Sequence, residues 1–230
     1  MAVILNIETS GNTCSVALTA EGMILRHYEN FEGRNHATLL SDYIKLCFDH
    51  LQDHEIKLDA VAVSLGPGSY TGLRIGLSEA KGLAYSLDVP LIGLSTLEIM
   101  AVGAMFREDA DPEALLAPMI DARRMEVYTA VYDFGLNAIV NPTPLILEPD
   151  SYERFLAEGR VVFFGDGSDK ARDLFGSNPN ARFISDVVPL ATDMTALADR
   201  AFSRRDFIDI AYSVPEYLKD FQAIKPKKLF

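Results

Sequence analysis

The chain has 230 residues, 49% of them apolar and 23% charged, and its formal net charge at pH 7 is -12. This length allows one large domain or two lobes with a sizeable core. A protein that binds nucleic acid by itself usually presents a basic face, so the acidic balance argues against a stand-alone nucleic-acid reader.

The two cysteines, Cys14 and Cys47, belong to no CxxC or Cys/His motif. The sequence therefore predicts no zinc site, and both thiols are expected to be reduced and structural. The N-terminus lacks the basic start and apolar run of a signal peptide, and no apolar run approaches the ~20 residues that span a membrane. These features favour a cytoplasmic protein that does not associate with a membrane.

The first half of the chain predicts a strand meander, a helix and a parallel crossover. Apolar residues at three- and four-residue spacing indicate a helix from about His36 to Gln52. The turn Gly66-Pro67-Gly68-Ser69 leads into a second helix that ends at Leu87. A strand–helix–strand of this length is a right-handed crossover. Strands are predicted at 3–9, 13–19, 23–28, 59–65 and 89–94.

The second half repeats this order, with helices starting near Ser151, Ser168 and Thr192. We expect an N-terminal lobe at 1–101, a C-terminal lobe at 102–213, and a tail at 214–230 that packs back on the first lobe. Two βββαβα units indicate a two-lobed α/β fold of the actin, hexokinase and Hsp70 kind, also called ASKHA or ribonuclease H-like. A cleft between such lobes commonly holds a nucleotide, which does not settle function. Strands are predicted at 115–121, 126–134, 138–147, 161–164 and 182–184.

The glycine turn before the second helix has two interpretations. Backbone N–H groups at a helix start attract anions, so Gly66 and Gly68 are candidate phosphate contacts. A Walker A loop would require Gly-Lys-Ser/Thr after four residues, and a dinucleotide fingerprint would require glycine at Thr71. Neither pattern is present. A structural tight turn and an anion contact therefore both stay open.

The end of the first strand, Glu8-Thr9-Ser10-Gly11, is where this fold class places an acidic residue and a phosphate-facing hairpin. Glu8 could hold a hydrated Mg²⁺. The parallel position in the second half, Asp121-Ala122-Arg123, has no glycine. We therefore predict no cofactor and keep Glu8, Ser10, Gly11, Gly66 and Gly68 as vestigial candidates. A nucleotide-dependent phosphotransferase or ATPase is the alternative function, and a peptidase is less favoured because no Ser/His/Asp order is present.

A long motif resembles one protein family closely. Its central part runs from Leu65 to Gly76, LGPGSYTGLRIG, and continues as Ala80-Lys81-Gly82-Leu83-Ala84 and Ile92-Gly93-Leu94-Ser95-Thr96-Leu97. Ile120-Asp121-Ala122-Arg123, Glu126-Val127-Tyr128 and Pro215-Glu216-Tyr217-Leu218 fit the same family. The sequence is similar to the TsaB (YeaZ) family throughout its first half.

The resemblance implies a role in tRNA modification. TsaB proteins are regarded as non-catalytic partners of TsaD, which transfers a threonylcarbamoyl group to adenosine 37 of tRNAs reading ANN codons; the ATPase TsaE joins them. TsaD proteins carry a His-x-x-x-His metal pair, and the aligned positions here are Thr96 and Met100. Neither side chain replaces an imidazole. The resemblance therefore implies no catalytic residue, and contact with tRNA only indirectly through the complex.

The two helices of the first lobe form the hypothetical partner surface. Gly72, Gly76, Ala80 and Ala84 make a side-chain-poor stripe, which fits either the chain's own sheet or a partner helix. We expect the helix pair to face TsaD, or a second copy as a homodimer when TsaD is absent. The predicted partner-binding residues are His36, Leu40, Tyr43, Ile44, Cys47, Gly72, Leu73, Arg74, Gly76, Leu77, Ala80 and Lys81.

Overall fold

Two five-stranded sheets with the same strand order form the framework of this computed structural model, which describes residues 2–33, 35–107 and 111–219. The strands of the first sheet are β1 Val3–Glu8, β2 Cys14–Ala20, β3 Met23–Asn30, β4 Ala60–Gly66 and β5 Leu91–Ser95. Those of the second sheet are β6 Leu115–Asp121, β7 Glu126–Tyr132, β8 Ala138–Ile146, β9 Val161–Phe164 and β10 Ala181–Ile184.

The helices alternate with the parallel strands, as the crossover rule requires. The α-helices are α1 His36–Asp53, α2 Tyr70–Leu87, α3 Thr96–Met105, α4 Glu153–Glu158, α5 Ser168–Phe175 and α6 Thr195–Arg204, and a 3₁₀ helix spans Ala191–Met194. None of the helices in the described ranges combines the length and the apolar character that crossing a bilayer requires.

The strand order confirms the predicted fold class. The first sheet runs β3-β2-β1-β4-β5 and the second runs β8-β7-β6-β9-β10. In each sheet the three meander strands are antiparallel, and the last two strands run parallel to the first. The molecule therefore contains two βββαβα units, each with its parallel strands on one side of the meander.

The two faces of the first sheet are covered by helices from different parts of the chain. On one face, α1 and α2 contact each other and bury Leu5, Ile44 and Leu77. On the other face, α3, the 3₁₀ helix and α6 pack on Ile4 and Ile92. Helix α6 thus packs on the first sheet although it follows the second sheet in the chain.

Helix α3 joins the two sheets, because Leu97 and Met100 lie in one apolar cluster with Leu116 and Phe164 of the second sheet. The rest of the second sheet packs around a separate aromatic cluster. Its centre is Tyr152, whose ring meets Phe163 edge-on at 5.0 Å between centroids, with Phe155, Phe175 and Phe183 around the pair.

After α6 the chain returns to the first lobe through residues 208–219, which we call the C-terminal strap. The N–H of Ile208 donates to the carbonyl oxygen of Leu91 at 2.9 Å. The N–H of Glu216 donates to the carbonyl oxygen of Leu65 at 2.7 Å. The strap therefore passes beside β5 and the end of β4; the lysines at 225, 227 and 228 of the predicted tail lie outside the described residues.

Candidate functional site

The inner face of α2 is held against the end of β1. Ser69 caps the helix by accepting a hydrogen bond from the N–H of Gly72 at 3.3 Å. The hydroxyl of Thr9 donates to the carbonyl oxygen of Gly72 at 2.8 Å. A methyl group added at Gly72 would lie 2.0 Å from Thr9 O, and one at Gly76 would lie 2.2 Å from Thr9 Oγ1. Both glycines are therefore needed for the approach of β1.

This contact explains the glycine stripe without a partner helix. Thr9 of the same chain already fills the space at Gly72 and Gly76. Ala80 and Ala84 continue the stripe and are fully buried in the core. The stripe thus serves the packing of α2 on its own sheet, the first of the two interpretations that the sequence left open.

Most of the predicted partner-binding side chains are also core residues. They are buried by the chain itself, so they cannot form an outer surface without repacking of the lobe. His36 contributes to this packing, since its Nε2 lies 3.1 Å from the carbonyl oxygen of Gly11. The buried members of the predicted set are His36, Leu40, Ile44, Cys47, Gly72, Leu73, Gly76, Leu77 and Ala80.

The remaining three predicted residues keep some exposed surface, but each has a contact within the chain. Tyr43 is half-buried and stacks on Tyr28, with 5.7 Å between ring centroids. Arg74 Nε donates to the hydroxyl of Tyr217 at 3.0 Å. Lys81 Nζ donates to the carbonyl oxygens of residues 211 and 213 at 3.0 Å. Arg74 and Lys81 thus fix the C-terminal strap onto α2.

The exposed face of α2 carries a second row of small residues. Ser78, Gly82 and Ser86 recur every four residues and are all exposed. A methyl group added at Gly82 would meet nothing within 4 Å, so this fold gives no reason for a glycine there. A helical glycine costs about 1 kcal/mol relative to alanine. Exposure depends on the fold, so the sequence alone does not place Gly82 among the predicted partner-binding residues.

The vestigial candidates at the end of β1 are buried. The carboxylate of Glu8 has no exposed surface, and its Oε1 accepts the N–H of Ser10 at 2.5 Å. Burial raises the pKa of Glu8 above its usual range, although the hydrogen bonds from Ser10 oppose the shift. A hydrated Mg²⁺ needs access from solvent that this carboxylate lacks. The structure therefore does not support Glu8 as a ligand of a hydrated cation.

The glycine turn is packed on both sides. A methyl group at Gly68 would lie 2.4 Å from Ser10 O, and one at Gly66 would lie 2.8 Å from Glu216 O. Gly66 also adopts φ +122°, which favours glycine. The N–H of Ser69 donates to Ser10 O at 2.6 Å, so it is not available to an anion. These contacts support the structural interpretation of Gly66 and Gly68, and Gly11 packs near Pro189.

A cleft of about 700 Å³ separates the start of α2 from the hairpin between β6 and β7. Its walls include Tyr70 and Tyr128, and Lys219 of the strap closes one side. On the hairpin, Asp121 accepts a hydrogen bond from Lys170 Nζ at 2.9 Å. Burial raises the pKa of Asp121, but the Lys170 bond and the Arg123 N–H outweigh it, and the pKa is lowered.

The positions that the resemblance aligns with a metal pair are both inside the core. Thr96 is 0% exposed and Met100 is 1% exposed. A methyl group at Gly165 would lie 2.4 Å from the terminal carbon of Met100, so this thioether is packed tightly between the lobes. The described ranges contain no group of three or more His, Cys, Asp or Glu side chains placed to hold a metal ion.

The cysteines are free and buried, as the sequence predicts for structural thiols. Burial raises the pKa of Cys14 to about 11 and that of Cys47 to about 12. Thiols with such values stay protonated at neutral pH, and the thiolate is the nucleophilic form. Neither cysteine is therefore poised for nucleophilic chemistry.

Comparison with known proteins places this geometry in a family. Residues 30–229 match the family model described as TsaD: tRNA N6-adenosine threonylcarbamoyltransferase. The chain is 33% identical to the tRNA threonylcarbamoyladenosine biosynthesis protein TsaB of Escherichia coli strain K12, over 96% of this chain and 96% of that protein. The chain belongs to the TsaB (YeaZ) family. The TsaB of Bacillus subtilis strain 168 is 30% identical, over 94% of this chain and 93% of the relative.

Solved structures agree with the assignment to TsaB. A Pseudomonas aeruginosa protein described as similar to the peptidase YeaZ superposes with a TM-score of 0.81 at 28% identity. The structure of YeaZ from the same organism superposes with a TM-score of 0.73 at 28% identity. Each match covers 95% of this chain and 100% of the solved chain. The predicted resemblance to the TsaB family is thus confirmed.

Proposed function

We propose that this TsaB-family chain acts in threonylcarbamoyladenosine synthesis as a non-catalytic partner of a TsaD protein, which modifies adenosine 37 of tRNAs reading ANN codons. The full-length relatives named for this biosynthesis support the pathway. The match to the TsaD model supports a partner of the same fold. The proposal includes the ATPase TsaE as a further member of the complex, a cytoplasmic location, and contact with tRNA through TsaD.

One observation carries the non-catalytic part of the proposal. The two positions aligned with the metal pair hold a neutral hydroxyl, Thr96, and a thioether, Met100. Hard and borderline catalytic metals prefer imidazole and carboxylate ligands, and Met is a soft ligand. Met100 also packs in the apolar cluster between the two sheets, and Thr96 is fully buried. These residues suit a structural role at the lobe junction.

The proposed contact with TsaD uses the exposed sides of α1 and α2. These helices lie together on one face of the first sheet, and their outer residues are solvent-exposed. Gly82 leaves the exposed side of α2 without a side chain, and Tyr85, 81% exposed, lies three residues further along the helix. A glycine beside an exposed aromatic residue suits close approach of a partner helix and burial of a ring. The same surface would serve a homodimer when TsaD is absent.

Calorimetric titration of the cognate TsaD with this chain tests the proposed pairing. We expect a saturable interaction that forms one heterodimer and displaces the homodimer, because both use the same helices. A titration without heat change, confirmed by separate elution of the two proteins from a sizing column, would refute the pairing.

The cleft between the lobes favours one alternative function. Its volume of about 700 Å³ is within the range of small-molecule pockets, and a phosphotransferase of the actin-like fold would bind ATP there. The buried Glu8 argues against this alternative, because such an enzyme needs an accessible acidic residue for its cation. A thermal shift with ATP and Mg²⁺, together with phosphate release that persists after purification, would favour the alternative over the scaffold.

A further inference from the structure

A cavity of about 380 Å³ lies on the face of the first sheet opposite α1 and α2. It is bordered by the hairpin between β2 and β3, the end of α3, the 3₁₀ helix and the start of α6. Its walls are largely apolar, with Ile24, Val102, Phe106 and Ala196 among the lining residues. The volume is within the range of pockets that bind small molecules.

One carboxylate, that of Asp193, belongs to the lining of this apolar cavity. It rests on the backbone of α3, since a methyl group at Gly103 would lie 2.7 Å from Asp193 Oδ2 and 3.7 Å from Oδ1. Burial is the main cause that raises the pKa of Asp193 to about 7. Exposed Asp residues are far more common than buried ones, so a carboxylate held in an apolar cavity indicates a binding role.

The charges around Asp193 leave room for another cation. Arg107, at the end of α3, lowers the pKa of Asp193, whereas Glu29 of β3 and Glu8 of β1 raise it. The guanidinium of Arg107 donates to the carbonyl oxygen of Asp186 at 2.9 Å, so it is anchored elsewhere. Within the described ranges Asp193 has no salt bridge. Since no described cation forms a salt bridge with it, this carboxylate in an apolar cavity can accept a positive ligand.

We propose that this cavity binds a primary ammonium group on a short aliphatic chain, with Asp193 as its counter-ion. The apolar walls would cover the aliphatic part, as they do for the stem of a lysine. An ammonium fits better than a guanidinium, because Oδ2 packs against Gly103 and the planar fork of arginine needs both carboxylate oxygens. The ligand is either a free aliphatic amine or a lysine side chain of a protein partner.

The test is a titration with n-butylammonium, followed through the amide NMR signal of Gly103, with n-butanol as the neutral control of equal size. We expect saturable binding of the amine, and binding of the alcohol weaker by about tenfold or more, because a charge-assisted hydrogen bond is about twice as strong as a neutral one. Equal effects of amine and alcohol, or no saturable shift, would overturn the proposal.

Two variants distinguish the loss of the Asp193 charge from a general effect on the fold. Asp193→Asn should weaken amine binding by about tenfold or more, since it removes the charge but keeps the shape. Asp206→Asn is the control, since this exposed carboxylate follows α6 and lies outside the cavity lining, and it should leave binding unchanged. Unchanged binding to Asp193→Asn, with the chain folded by circular dichroism, would contradict the proposal.

The pH dependence gives a second readout. A raised pKa near 7 means that Asp193 becomes ionised as the pH rises through neutrality, so amine affinity should increase from about pH 6 to about pH 8. An affinity that is flat over this interval would contradict the role of Asp193.

Binding of Nα-acetyl-lysine methylamide as well as butylammonium would indicate a lysine of a partner, and binding of butylammonium alone would indicate a free amine.

Discussion

The two faces of α2 contain glycines for different physical reasons. On the inner face, Gly72 and Gly76 let the backbone of the helix approach Thr9, and any side chain there would overlap β1. On the outer face, Gly82 has open space around it. Glycine spacing alone therefore does not identify an interface. A glycine that its own fold does not require is the better indication of an external partner.

A substitution on the inner face of α2 should cause the largest loss of stability. Gly72→Ala would place a methyl group 2.0 Å from a backbone oxygen, which cannot rotate away, so α2 must shift from the sheet. Overpacking of this kind costs about 3 kcal/mol, partly offset by the better helix propensity of alanine. Urea unfolding should show the loss of stability. A variant as stable as the natural chain would show that the inner glycine is not needed for packing.

The next effect concerns partner binding by the outer face. Gly82→Arg should weaken the interaction with TsaD by about tenfold or more while the chain stays folded, because a long charged side chain would occupy the close approach. The measurement is the calorimetric titration described above. Gly159→Arg is the matched control, since that glycine also has open space around it but lies after α4 in the second lobe. Equal affinities of the two variants would remove Gly82 from the proposed interface.

The smallest effect tests the reason for the outer glycine directly. Gly82→Ala should stabilise the isolated chain by about 1 kcal/mol, since it improves helix propensity and meets no atom. Urea unfolding of the monomer measures this gain. A loss of stability would mean that the fold itself requires Gly82, and the contrast between the two faces would disappear.

Sequence patterns predicted much of the fold because they report local periodicity and turn chemistry. The order of the strands and the helix from His36 follow from such patterns. The partner of the inner stripe did not, since Thr9 lies 63 residues before Gly72. Likewise, the periodicity of α6 indicates an apolar face but does not say that this face packs on the first sheet.

The candidate site was harder to predict than the fold, because exposure depends on tertiary contacts. Arg74 and Lys81 are long cations on a helix, which is typical of a solvent-exposed face, yet both bind the C-terminal strap. Gly82 and Ser78 show no pattern in the sequence that marks them, yet both are exposed on the same helix. Asp193 has no sequence signal at all, since its burial results from α3 and the 3₁₀ helix meeting there.

We propose that this chain supports a TsaD enzyme without performing the transfer itself. Reconstitution tests this role: threonylcarbamoyl transfer to tRNA is assayed with the cognate TsaD and TsaE, with and without this chain. We expect transfer only in the complete mixture, equal transfer with Asp121→Ala in the interlobe cleft, and reduced transfer with Gly82→Arg. Full transfer activity of TsaD and TsaE without this chain would contradict its supporting role.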